Sequence, residues 1–311
     1  MSRAKLIKYG KLIFVLITAL IFLHILALPI SNDYEEYIEY LYNLQDNDLI
    51  SLISSSRFEP LSVLTFWLIS KVFAPSTTLL ILGVLLLYIK YLIFLEKTQR
   101  PMLAYVWYLV TFAYLLEANQ FRFAIASIFI IISLLSIKNK DRLTHLSMAI
   151  IGAGFHYSAL VSLVFLVLRP FVLLYFFLFF WFFMDFFLAQ LWLIKPLQIW
   201  LSFTPNNHVS LTNPLFICQF FIASLLLFYW RELSKTQKRG AILLILGAIV
   251  YLVFWQYPIV AHRLRELSQL GIIALVFVQS RWSNIPRFMT QLTAFIFSLY
   301  SIYDIIRKLI N

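Results

Sequence analysis

The sequence predicts an all-α fold: a polytopic transmembrane helical bundle of roughly ten spans, each near bilayer length, with short re-entrant or interfacial helices, over residues 1–311 as a single integral membrane domain. Three observations predict it. Hydrophobic residues make up 62% of the 311 and charged residues only 13%, against about 25% charged in soluble domains. The apolar residues fall in blocks close to the ~20 residues that cross a bilayer core. Runs such as 171–188 do not alternate, as the ~10-residue strands of a membrane barrel do. Backbone groups in lipid must pair within their own segment, which makes the blocks helices.

In chain order the expected spans are 12–28, 77–95, 102–116, 121–137, 143–168 (long enough to be broken), 171–188, 213–230, 241–257, 267–278 and 288–303. The first follows the basic cluster Arg3-Lys5-Lys8-Lys11. It resembles a signal peptide but has no small-x-small cleavage pattern, so it is expected to stay as the first helix. The positive-inside rule puts the basic N-terminus, Lys97–Arg100, Lys138–Arg142 and Arg231–Arg239 in the cytoplasm. The acidic stretch 31–56, with no Lys or Arg, then faces outside. Parity forbids 60–73 from being one ordinary crossing. Either it is re-entrant or interfacial, or an extra weak crossing hides in the acidic stretch; it is short and begins Glu59-Pro60, which favours the re-entrant or interfacial form. Segment 191–203, with Trp192, Lys195, Pro196 and Trp200, is expected to lie flat at the interface.

The net charge of +11 sits beside the apolar blocks. It marks cytoplasmic ends, and no nucleic-acid partner is expected. The lone Cys218 excludes an intrachain disulfide and makes a thiolate metal site unexpected. No phosphate loop, HExxH or CxxC occurs, which argues against ATP hydrolysis and zinc chemistry. Asp46-Asn-Asp48 has metal-sugar-nucleotide spacing but sits in a polar external turn. No cofactor is expected.

Ionisable residues near the membrane are costly and mark function. Four groups stand out. Arg57-Phe58-Glu59-Pro60 opens an apolar stretch; it is a functional pair or an ordinary interfacial one. Glu117-Ala-Asn-Gln-Phe-Arg122 joins two spans, and Arg122 near a helix N-terminus suits anions; the bland alternative is an arginine snorkelling to the interface. His156, in Gly152-Ala-Gly154-Phe-His156-Tyr157-Ser158, lies roughly 20 Å above the cytoplasmic Arg142 at 1.5 Å per residue. It is a general base or acid, or a hydrogen bond between helices. His262-Arg263-Leu-Arg265-Glu266 brings cations to an external loop, as a site or as a solvated ion pair. All four map to the outer half of the membrane. Together they predict a cationic cavity open to the outside, suited to an anionic lipid diphosphate.

These residues also resemble a known family. Asp33-Tyr34 precedes Glu59-Pro60; Arg122 precedes Ala124 and Ala126; then come a basic loop, the run Phe155-His156-Tyr157-Ser158-Ala159-Leu160 and the late Arg263. The series resembles the EpsG family of bacterial polysaccharide polymerases, related in role to Wzy-type O-antigen and capsule polymerases. Two departures stand: Gln120-Phe121-Arg122-Phe123 where the family commonly has Arg-Gln, and Leu264-Arg265-Glu266 where an aromatic pair often follows the late arginine. The choice between Arg263 and Arg265 stays open.

The resemblance implies a membrane glycosyltransferase that needs neither metal nor nucleotide. It would transfer a growing glycan from undecaprenyl diphosphate to the next lipid-linked repeat unit, at the outer face of the bacterial inner membrane. The implied partners are undecaprenyl-diphosphate-linked oligosaccharide, membrane lipids and a chain-length regulator protein. His156 is the first choice for base and Glu59 the second. Arg122 is catalytic and, with Arg263, Arg265 and Arg57, binds the diphosphate. A flippase for the same lipid and a membrane O-acyltransferase are the competing readings.

Overall fold

The computed structural model describes residues 3–31, 33–56, 58–136, 142–166, 209–278 and 284–310, together with Val172, Tyr175 and Phe179. Among them all regular structure is helical. The predicted segments 171–188, beyond those three residues, and 191–203 lie outside the described residues, as does Arg57.

The helices are α1 (Arg3–Ile21), α2 (Tyr34–Asp46), α3 (Leu49–Ser55), α4 (Pro60–Ser70), α5 (Pro75–Lys97), α6 (Pro101–Tyr108), α7 (Phe121–Leu135), α8 (Arg142–Phe155), α9 (Pro214–Phe228), α10 (Lys235–Val253), α11 (Pro258–Ser268), α12 (Gly271–Val276) and α13 (Asn284–Ile310). Pro occupies the first turn of α4, α5, α6, α9 and α11, where its missing N–H costs nothing. Among the described residues five stretches are long and apolar enough to cross a membrane: Tyr9–Ile30, Pro75–Lys97, Pro101–Ala118, Lys235–Val253 and Arg287–Ile310. Pro60–Ser70, Phe121–Leu135, Tyr157–Leu166 and Pro214–Phe228 are shorter apolar helices. The eleven residues of α4 reach only ~16 Å, about half of a bilayer core.

The span 143–168, long enough to be broken, is broken: α8 stops at Phe155 and a 3-10 segment runs Tyr157–Leu166. Elsewhere the structure departs from the sequence expectation. Around Arg263 there is a helix, α11, rather than a loop, because apolar and polar residues there alternate at helical spacing behind Pro258. The following span 267–278 shrinks to the six residues of α12. The acidic stretch 31–56 forms α2 and α3, the latter capped by the Asp48 carboxylate accepting from the Ile50 N–H at 3.1 Å.

The chain divides into two compact units. Unit 1 contains residues 1–130, 150–159 and 298–311. Its core packs α1, α2, α4, α5 and α6 around Phe66, Tyr91, Phe94, Tyr105 and Phe112. After α6 the chain changes winding and runs as a π-helix from Leu109 to Ala118. Unit 2 contains residues 131–149 and 160–297. Here α10 is buried along most of its length against α9, α11 and α12. Gly240 and Gly271 allow α10 and α12 to touch backbone to backbone: a Cβ on Gly240 would lie 2.4 Å from the Gly271 carbonyl oxygen, the small-residue packing common between membrane helices. Arg239 donates to the Ser136 carbonyl, one of the carbonyls left open at the end of α7.

Candidate functional site

Within unit 1 three separate stretches bring Glu59, Arg122 and His156 together. Glu59 is the N-cap of α4 in extended conformation, and its carboxylate does not cap its own helix. It is buried, and Oε2 accepts from Arg122 Nη1 at 2.5 Å. Oε1 accepts from the Tyr157 N–H at 3.3 Å. A charge-assisted bond of this kind is about twice as strong as a neutral one.

Arg122 stands in the first turn of α7. Its guanidinium lies 3.9 Å from the Phe58 ring centre, an attractive placement of cation over aromatic face. The Tyr37 hydroxyl of α2 also interacts with it. Burial pushes that hydroxyl above its usual range, and the neighbouring guanidinium opposes the rise. Arg122 Nε is buried without a hydrogen-bond partner among the described residues.

His156 occupies the break after α8. Two glycines make the break tight. A Cβ on Gly152 would stand 2.8 Å from Ala159 Cβ, and one on Gly154 2.8 Å from Leu61 Cγ. The Phe155 carbonyl freed by the helix end accepts from Ser62 Oγ at 2.8 Å. His156 Nδ1 is 2.6 Å from Ser158 Oγ, and the Ser158 N–H donates to it at 3.3 Å. The ring packs 5.3 Å from Phe123. The result is a partly buried arginine, a buried carboxylate and an imidazole of fixed orientation, which can hold an anionic oxygen and accept or give a proton.

The late arginines belong to unit 2. Arg265 is buried, with Nε and Nη1 lacking hydrogen-bond partners among the described residues. Its guanidinium sits 5.4 Å from the Tyr251 ring and Nη2 only 3.8 Å from Glu266. Arg263 is half-buried. His262 packs edge-on to Tyr251 at 5.3 Å. Burial, then the Arg265 charge, pushes its pKa down to about 4.

Two features escaped the sequence reading. Tyr37 joins the arginine site from α2. Lys90, inside the span 77–95, meets Glu117 in an ion pair that is wholly buried on both sides. A lysine inside an apolar span was a visible signal by the rule for intramembrane charge. Among the described residues no group of His, Cys, Asp and Glu side chains is placed to hold a metal ion.

Helices long and apolar enough to cross a bilayer, with an arginine, a carboxylate and an imidazole gathered in one helical unit, fit a membrane protein that carries a candidate site for an anionic group. The chain belongs to the EpsG family, whose profile matches residues 11–311. That family includes Wzy-type polymerases and points to a membrane glycosyltransferase of polysaccharide biosynthesis. No curated protein and no solved structure matches the chain significantly.

Proposed function

We propose that the protein is an oligosaccharide repeat-unit polymerase of the bacterial inner membrane, acting on undecaprenyl-diphosphate-linked substrates at the outer face. The observation that carries the reading is the meeting of Arg122, Glu59 and His156 in one site. The reaction breaks the bond between the anomeric carbon of the growing chain and its diphosphate oxygen. It forms a glycosidic bond to a hydroxyl of the incoming unit, whose proton leaves to a base. Charge builds on the departing diphosphate, and Arg122 supplies the opposing charge. Of the late arginines we favour Arg265 for phosphate binding, because its Nε and Nη1 have no hydrogen-bond partner among the described residues.

The hydrogen bonding refines the proton roles. With Nδ1 accepting the Ser158 N–H, a neutral His156 carries its proton on Nε2. That tautomer donates, which suits a phosphate oxygen. Glu59, an acceptor when ionised, then suits the acceptor hydroxyl.

The test is genetic and chemical. Arg122→Ala and His156→Ala are placed in a producing strain and the surface glycan is resolved on a gel. Single-unit glycan without a ladder is the expected outcome; an unchanged ladder with either variant refutes the assignment of that residue. In a deletion strain, unpolymerised lipid-linked units should gather on the outer leaflet, whereas loss of a flippase would leave them inside.

A further inference from the structure

We propose that Lys90, Glu117 and Tyr108 form a buried positioning device that fixes where Arg122 emerges. The inference rests on the reading of Arg122 as a site residue. Lys90 and Glu117 are both wholly buried. Lys90 Nζ donates to Glu117 and, at 2.7 Å, to the Tyr108 hydroxyl. Tyr108 donates to Glu117 Oε1 at 3.0 Å. Replacing such a pair by apolar residues of similar size is often neutral or stabilising, so stability alone does not account for it.

Geometry supplies another role. Tyr108 and Glu117 are nine residues apart. On an α-helix that is two and a half turns, and the side chains would point to opposite sides. The π-winding from Leu109 to Ala118 closes the same nine residues in about two turns, so both side chains reach one ammonium. The triad therefore selects the π register.

That register sets the direction in which the chain leaves the π segment. Immediately after Glu117, the Ala118 carbonyl accepts from Ser31 Oγ at 2.7 Å, and Asn119 Nδ2 donates back to the Tyr114 carbonyl at 2.7 Å. Gln120 N–H bonds to the Leu116 carbonyl at 2.9 Å, and α7 starts at Phe121. Arg122 is the second residue of that helix. Rewinding ten residues from π to α would turn the exit by roughly half a turn, carrying the guanidinium away from Glu59.

The test is a thermal-unfolding double-mutant cycle between Glu59→Gln and Arg122→Met, on the full chain in detergent, in two backgrounds. In the wild-type background the two changes should be strongly non-additive, because they share one ion pair. In a Lys90→Met/Glu117→Leu background they should add, although the background itself unfolds within a few degrees of wild type. Equal non-additivity in both backgrounds overturns the proposal. If the double background does not accumulate, Tyr108→Phe replaces it: weakened coupling supports the proposal and undiminished coupling overturns it. The cycle needs no substrate. It therefore fails or succeeds separately from the polymerase reading, which falls if Arg122→Met leaves the glycan ladder intact.

Discussion

Arg122 and Glu59, sixty-three residues apart in sequence, form a 2.5 Å ion pair over the face of Phe58. The contact joins the first turn of one helix to the cap of another. It neutralises two groups that would otherwise be costly to bury.

Removing one partner leaves the other exposed to that cost. Arg122→Ala should destabilise the protein by about 3 kcal/mol, the range for breaking a buried pair, read as a lower chemical-denaturation midpoint. Arg122→Lys keeps the charge but loses the planar fork and the fit over Phe58. It should retain most of the stability and still cut polymer formation by about tenfold, as expected when one transition-state contact worth about 1.4 kcal/mol is lost.

His262 predicts an acid-sensitive fold. Its folded pKa of about 4 lies below the ordinary 6.5. The unfolded chain therefore binds a proton first as pH falls. Its contribution is complete above pH 6.5 and is lost progressively between 6.5 and 4. The unfolding midpoint at pH 5 should fall below that at pH 7.5, and His262→Gln should flatten this part of the difference.

Two glycines should behave in opposite ways. Gly240→Ala drives a Cβ to 2.4 Å from a backbone carbonyl oxygen and should cost about 1–3 kcal/mol by forcing α10 and α12 apart. Gly10→Ala meets nothing within 4 Å among the described residues. Within α1 it should be neutral or stabilise by up to about 1 kcal/mol. Melting curves of both variants decide the contrast.

Ser234 and Gln237 form a reciprocal capping box at the start of α10, with bonds of 3.3 and 3.0 Å. Ser234→Ala should lower stability by about 1 kcal/mol, visible as a small downward shift of the same midpoint.

The helical membrane character is legible because it rests on composition and block length. Glu59, Arg122 and His156 are legible for a related reason: each interrupts an apolar run, and one orientation rule puts them on one side. The break at His156 has a local sign in Gly152 and Gly154. Other features have no such sign. Tyr37 is one of 17 tyrosines, and only the approach of α2 to Arg122 distinguishes it. Lys90 itself shows as a charge inside an apolar span, but its partner stands 27 residues on, across a change of helical winding that spacing does not reveal. The helix around Arg265 reads as a loop because its charges suggest solvent, whereas its packing buries them.

The last helix has a consequence for how the protein is made. Ser298 lies 3.0 Å from Thr111 Oγ1, Ser301 donates to the Thr111 carbonyl at 3.2 Å, and Lys308 donates to the Tyr114 hydroxyl at 2.7 Å. All three contacts brace the π-wound segment that leads to Arg122. A nascent chain halted before Ser298 would already carry Glu59, Arg122 and His156, yet would lack this brace. Unit 1 is therefore completed only after the intervening stretch 160–297 has been synthesised.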